Sequence, residues 1–115
     1  MIPSQMLKGV LEDCVLEIIS KDDLYGYLIV QELRDYGFED IVEGTIYPIL
    51  LRLEKKNLVT SEYRASELGP RRKYYHITEE GLKQLDNFYE NWKELSQIIN
   101  RILNSKEASK ENEEE

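Results

Sequence analysis

The sequence predicts a mainly α fold of the α+β class: a winged helix-turn-helix with a two-stranded wing, followed by a long C-terminal helix. Apolar residues recur at three- and four-residue spacing in three short segments within residues 4–55. Two runs of strand-forming residues separated by a turn cluster follow within residues 58–77. A longer apolar repeat then extends over residues 78–103. Helix-turn-helix segments followed at once by a hairpin give the element order of a winged helix.

These patterns divide the chain into three parts. We expect a winged helix-turn-helix domain at residues 1–77, a C-terminal helix at residues 78–104 and a disordered acidic tail at residues 105–115. With 115 residues, the chain can bury one modest hydrophobic core.

The composition is typical of a soluble globular protein, with 41% hydrophobic and 33% charged residues. No apolar run approaches the ~20 residues that a membrane span needs, and the N-terminus lacks a signal-peptide pattern. We therefore expect no membrane partner and a cytoplasmic location. The single cysteine, Cys14, excludes an intramolecular disulfide, and its apolar helical context favours a buried small side chain over a reactive thiol.

Charge is distributed unevenly along the chain. The net charge is −8, which alone would disfavour a nucleic-acid partner. Residues 1–51 hold three basic and ten acidic side chains, whereas residues 52–76 hold seven basic and three acidic ones. One basic island in an otherwise acidic chain indicates a localised anionic contact, and the acidic flanks would limit non-specific binding.

The first helix is predicted from Ser4, a suitable N-cap, to about Ser20. Its stripe consists of Leu7, Val10, Leu11, Cys14, Val15, Ile18 and Ile19. Leu16 lies off this stripe, on a second apolar surface that another element or another chain could cover.

A second helix is expected from near Tyr25 to Gly37, a natural C-terminal glycine. Gly26, in its first turn, would permit close backbone packing or the close approach of a phosphate.

The third helix is the candidate recognition helix. Because proline is tolerated in the first turn of a helix, Pro48 predicts a start near Gly44 or Thr45. One face is apolar, with Ile46, Ile49, Leu50 and Leu53, and the other carries Thr45, Tyr47, Pro48, Leu51 and Arg52. Small, polar and aromatic residues near the N-terminal end suit a helix that enters the DNA major groove, although an ordinary amphipathic helix gives the same pattern.

A hairpin is predicted from strands at residues 58–64 and 71–77 around a turn at residues 65–70. Its tip and return strand carry Arg71, Arg72 and Lys73. Such a wing can reach the DNA backbone or minor groove, whereas the alternative is a solvated edge whose charges discourage strand aggregation. The position of the cluster directly after the helix-turn-helix favours DNA.

The last helix is expected to begin after Thr78 as its N-cap and to extend to about Leu103. Its heptad positions are Leu85, Phe88, Trp92, Leu95, Ile99 and Ile102. Because a small domain cannot cover so long a helix, we expect a homodimer in which Leu11 and Val15 of the first helix help to complete the interface. The alternative is a long helix docked on its own domain.

Several motifs stand in a specific order and spacing: residues 24–27, 43–48, 52–54 and 69–75, followed by Thr78, Glu79 and Gly81. In these motifs the chain resembles the short, one-domain PadR-type bacterial transcriptional regulators, over nearly all of residues 5–103. The resemblance implies a homodimer with a winged helix and a C-terminal dimerisation helix. It also implies a double-stranded DNA operator and, usually, repression of a nearby promoter, often that of the regulator's own operon.

The resemblance also assigns roles by position. DNA contacts would come from the recognition helix, its supporting helix and the wing, through Thr45, Tyr47, Arg52, Tyr25, Gly26, Arg71, Arg72 and Lys73. Trp92 occupies the position where multidrug-sensing relatives stack flat ligands at the dimer centre, which makes Trp92 and Phe88 candidate contacts for a small aromatic effector. A heptad tryptophan is also common as plain interface core.

Two other classes of function stay open. A winged helix can bind a protein partner without touching DNA, which the acidic total favours and the basic wing disfavours. An enzyme is disfavoured because the single histidine, His76, has no nucleophile motif, metal-spaced ligand set or phosphate loop near it. We therefore expect no catalytic residue, no metal site and no cofactor.

Overall fold

The computed structural model describes residues 1–114, with side chains described through Ser105. Its elements follow one another as α1 Ser4–Leu7, α2 Leu11–Lys21, β1 Leu24–Tyr25, α3 Gly26–Tyr36, α4 Glu43–Lys55, β2 Val59–Ser66, β3 Gly69–Ile77 and α5 Glu79–Glu114. The predicted fold class is confirmed: the chain is mainly helical, with a small antiparallel sheet and a long C-terminal helix. The chain forms two compact units, Met1–Leu85 and a second that begins at Asp86.

The sheet has three strands in the order β1-β3-β2, where the sequence predicted only the two strands of the hairpin. The additional strand, β1, is two residues long and pairs Leu24 with Tyr75 and Tyr25 with Tyr74. The hairpin turn is also tighter than predicted, because β2 and β3 extend to Ser66 and Gly69.

The first predicted helix is interrupted. α1 ends at Leu7 and α2 begins at Leu11, with Gly9 in the break and Val10 at a non-helical φ of −126°. Glycine weakens a helix because its unfolded backbone has more conformational freedom to lose. Ser4 is not the N-cap, since Pro3 occupies that position without a side-chain cap bond.

The other helix boundaries differ from the predictions by a few residues. α3 begins at Gly26, because Tyr25 is extended, at φ −98° and ψ 166°, and pairs with β3. α4 begins at Glu43, which makes Pro48 its sixth residue rather than a first-turn residue. Proline leaves the Gly44 carbonyl without its usual helical donor, and Gly44 is exposed to solvent.

The hydrophobic core of the first unit is built from α2, α3, α4, the sheet and the first turns of α5. It contains Leu11, Val15, Leu16 and Leu85, all buried within the chain itself. The second apolar surface at Leu16 is therefore covered by this chain.

The start of α5 is fixed against the end of the sheet. The Thr78 hydroxyl donates to the Asn57 carbonyl at 2.7 Å and accepts from the Gly81 amide at 3.0 Å. A Cβ on Gly81 would collide with the Leu58 carbonyl oxygen and the Ile77 side chain, so only glycine fits this contact.

The backbone of α5 continues as a helix through Glu114, beyond the predicted end near Leu103. We expected disorder from residue 105, but this segment is rich in lysine and glutamate, which have high helix propensity. The side chains of residues 106–115, and Glu115 altogether, lie outside the described part. Within residues 1–114, no helix combines the length and apolar character needed to cross a bilayer.

Candidate nucleic-acid interface

The outward face of α4 is the centre of the candidate interface. Buried Ile46, Ile49, Leu50 and Leu53 define the inward face. At 100° per residue, the positions directly opposite are Gly44, Pro48, Leu51 and Lys55, and all four are exposed. Among the residues assigned to DNA from the sequence, Thr45, Tyr47 and Arg52 lie at the flanks of this stripe rather than on it.

Tyr47 is oriented by the glycine of the neighbouring helix. A Cβ on Gly26 would lie 2.6 Å from Cε1 of the Tyr47 ring, so the absent side chain of Gly26 makes room for this ring. The Tyr47 hydroxyl donates to Glu43 Oε2 at 3.3 Å. Burial and the Glu43 carboxylate raise the pKa of Tyr47 above its ordinary value. Of the two possibilities for Gly26, the structure favours close packing.

Arg52 and Lys56 share one carboxylate of α2. Arg52 Nε lies 3.8 Å and Lys56 Nζ 3.2 Å from the Glu12 carboxylate oxygens. The Arg52 side chain is 53% exposed, so the pair is solvated and weak.

The basic triplet of the wing is divided between the two faces of the hairpin. Side chains alternate along a strand, so Arg72 lies opposite Arg64 on one face and Lys73 lies opposite Tyr63 on the other. The Arg72 Nη1 donates to the Tyr25 hydroxyl at 2.8 Å, and its guanidinium lies 4.6 Å from the Tyr25 ring centre. The structure thus joins two of the predicted site residues, Tyr25 and Arg72.

Lys73 faces α4 and is paired there. Its Nζ lies 3.1 Å from Glu54 Oε2, and Ser61 Oγ donates to the other Glu54 oxygen. The Ser61 and Lys73 hydrogen bonds hold the pKa of Glu54 below its ordinary value. Burial lowers the pKa of Lys73, but Glu54, together with Tyr75 and Tyr63, raises that pKa overall.

Arg71 and Arg72 differ from the other site cations because neither makes an ion pair within the described side chains. Arg71 lies over the ring of Tyr63 at 5.7 Å. Both side chains are exposed near the hairpin turn. They are therefore the wing cations most available to an external anion.

His76 belongs to a polar cluster across the sheet. Its Nδ1 lies 2.8 Å from Asp23 Oδ1 and its Nε2 lies 3.2 Å from Glu62 Oε1, while Arg64 contacts both carboxylates. Hydrogen bonds from His76 and then Arg64 lower the pKa of Asp23. This arrangement ties β2 and β3 to the segment before β1, which is a structural role for His76.

Pro48, Leu51 and Lys55 are absent from the predicted site residues. The sequence contained the necessary signal, because the apolar stripe of α4 defines its own opposite face. The resemblance to the family implies Thr45, Tyr47 and Arg52 instead.

The part of α5 beyond Asp86 carries a separate exposed apolar surface. It consists of Tyr89, Trp92, Leu95, Ile98, Ile99, Ile102 and Leu103. Phe88 and Trp92 stack with ring centres 6.4 Å apart and planes 16° from parallel. Leu11, Val15 and Leu85, which we expected at a dimer interface, are instead buried in the chain's own core and are not carried into the proposed interface.

No group of three or more metal-ligating side chains occurs in the described part of the chain.

Comparison with known proteins gives a consistent result. The family model described as "Transcriptional regulator PadR-like family" matches residues 15–87. A PadR-like transcriptional regulator from Bacillus cereus strain ATCC 14579 superposes with a TM-score of 0.79 at 51% identity, covering 87% of this chain and 97% of that one. A Streptococcus transcriptional regulator superposes with a TM-score of 0.78 at 46% identity, covering 87% and 98%.

Sequence comparison also finds a transcriptional regulator. The transcriptional regulator Rv3488 of Mycobacterium tuberculosis is 30% identical over 89 residues, covering 77% of this chain and 78% of the relative. The family model spans more than half of the chain, and the similar structures share its fold from end to end of their own chains. The chain belongs to the PadR-like family of transcriptional regulators.

Proposed function

We propose that this protein is a homodimeric DNA-binding regulator that represses a nearby promoter and is released by a small aromatic effector. The observation that carries the DNA-binding part is the contrast among its cations. Arg52, Lys56 and Lys73 are held by Glu12 or Glu54, whereas Arg71 and Arg72 project from the wing without an ion pair among the described side chains.

The wing and the recognition helix act on one DNA segment in this proposal. The Lys73–Glu54 contact at 3.1 Å joins β3 to α4, so the two elements are neighbours. The outward stripe of α4 would enter the major groove, while Arg71 and Arg72 bind the phosphates or the minor groove beside it. Repression follows if the bound protein occludes the promoter.

The exposed apolar surface of α5 supports the homodimer. A contiguous row of large apolar side chains on one helix is a common sign of an interface. Pairing with a second copy would remove this apolar surface from water, which stabilises the dimer. Two copies that pair through α5 would present two recognition helices to half-sites about one DNA turn apart, or a small multiple of it.

The first test is the salt dependence of binding to the DNA just upstream of the protein's own gene. Replacing Arg71 and Arg72 by alanine in each protomer removes four cations from a dimer. We expect weaker binding to all sequences and a slope of log K against log[salt] that is shallower by up to about four, measured by fluorescence anisotropy.

A matched control removes the same charge elsewhere. Lys83 and Lys93 are exposed cations of α5, and K83A/K93A should keep the wild-type salt slope. An unchanged affinity and slope in R71A/R72A would remove the wing from the DNA contact. A folded wild-type protein that binds neither this DNA nor an unrelated fragment would favour a winged helix that binds protein instead.

The Phe88–Trp92 stack supports the effector part of the proposal. Trp92 is 49% exposed within one chain and lies on the α5 surface that would pair, so a flat aromatic molecule could stack on its indole between the two protomers. Such a molecule would release DNA only if it binds the free conformation more tightly than the DNA-bound one. We expect quenching of Trp92 fluorescence by an effective compound in parallel with DNA release, and quenching without release would contradict an effector role.

A further inference from the structure

We propose that α4 reads its DNA by apolar contact with thymine methyl groups, and that Leu51 is the specificity-determining residue. This inference rests on the proposed DNA-binding function and adds the chemistry of the sequence that is read.

Leu51 lies at the centre of the outward stripe of α4. It is 60% exposed and stands within 30° of the direction opposite the buried face, between Pro48 one turn before it and Lys55 one turn after it. Pro48 is exposed as well. The part of the helix that would reach deepest into a groove is therefore apolar.

Space around the stripe permits a close approach. A Cβ built on Gly44 would meet nothing within 4 Å, so the N-terminal end of the stripe is open on its outer side. Gly44, Pro48 and Leu51 follow one another along the helix at spacings of four and three residues. This row of small and apolar groups fits the floor of the major groove rather than the phosphate backbone.

Hydrogen-bonding readout has few candidates on α4. The helix contains no asparagine or glutamine, the residues that pair with adenine edges. Thr45 and Arg52, which could pair with bases, lie at the flanks of the outward stripe, and Arg52 is beside Glu12 there. The Tyr47 hydroxyl donates to Glu43. Lys55 is the one cation on the outward stripe, at its C-terminal end.

The thymine C5 methyl is the apolar feature of the major groove, and apolar side chains recognise it by burying it. Leu51 would lose its exposed area in the same contact. Preference for thymine at the contacted positions follows, because cytosine presents an amino group and no methyl there.

The test removes the methyl groups without changing the base pairs. The fragment upstream of the gene is prepared with thymine or with deoxyuridine throughout, and both are titrated with wild-type protein and Leu51→Ala. We expect wild-type affinity to fall by about fourfold for each methyl group contacted. Leu51→Ala should bind the thymine fragment more weakly and lose most of its preference for thymine over uracil.

Leu68→Ala is the matched control. Leu68 is fully exposed in the hairpin turn, so the same truncation there should leave the thymine preference intact, since the methyl group lies in the major groove. Circular dichroism and thermal unfolding check that each variant is folded.

The outcomes separate the two proposals. Equal wild-type affinity for the two fragments would overturn the methyl readout while leaving DNA binding standing. A uracil penalty that persists in full in Leu51→Ala would overturn the role of Leu51 and would assign the penalty to another contact, such as Pro48, or to DNA flexibility. Absence of wild-type binding to either fragment would instead be a failure of the proposed function.

Discussion

Neighbouring basic residues of the hairpin have different partners, because successive side chains of β3 point to opposite faces of the sheet. Arg72 meets Tyr25, whereas Lys73 turns to Glu54 on the opposite face. The sequence predicted the basic cluster correctly as part of a hairpin. It did not predict that, within the described side chains, Lys73 alone in this cluster would be paired with an acid, because its partner, Glu54, belongs to α4, a different element.

At the residue scale, the Glu54 contacts predict a pH dependence of stability. The pKa of Glu54 in the folded state lies below its ordinary value. The ionised carboxylate therefore stabilises the fold fully at a pH above that ordinary value, and this stabilisation is lost as the pH falls through the folded-state pKa. Glu54→Gln should lower the free energy of unfolding at pH 7 by less than about 1 kcal/mol, because the pair is partly solvated.

Urea unfolding at pH 7, 5 and 4 checks this expectation. The difference between wild type and Glu54→Gln should narrow as the pH falls toward 4. Glu67→Gln provides a control, because Glu67 is exposed in the hairpin turn and makes no ion pair within the described side chains. A difference that stays constant or widens on acidification would contradict the assigned role of the Glu54 carboxylate.

At the element scale, periodicity predicted the long helices and the hairpin, since the apolar stripe of each element is encoded locally. The strand β1 could not be found in this way. It is two residues long and exists because Leu24 and Tyr25 pair with β3, about 50 positions later in the chain. Gly9 is a local sign of the break after Leu7. The apolar stripe continues across Gly9, and for that reason the sequence predicted one unbroken helix.

The candidate recognition helix, α4, shows how an apolar stripe can also predict a candidate binding surface. Once Ile46, Ile49, Leu50 and Leu53 are assigned to the core, the outward positions are fixed by helix geometry. The sequence already placed Leu51 on the outward face, and the same geometry adds Lys55. The engagement of Tyr47 with Gly26 and Glu43 could not be predicted in this way, because it requires the packing of α4 on α3.

At the scale of the whole molecule, a net charge of −8 coexists with a localised basic wing. Most cations beside α4 are already balanced by acids of the same chain, which would keep binding to arbitrary DNA weak. Two copies paired through α5 would double the number of contacts and so restore affinity at paired half-sites. Dimerisation and sequence-selective DNA binding are thus linked in this account.

The most direct measurement is the stoichiometry of the complex with the DNA upstream of the gene, by analytical ultracentrifugation at two salt concentrations beside an unrelated fragment. We expect the free protein to sediment as a dimer and to bind the upstream fragment preferentially, with two chains or a multiple of two per fragment and weaker binding at higher salt. A folded monomer, or a dimer that binds neither fragment at low salt, would contradict the account.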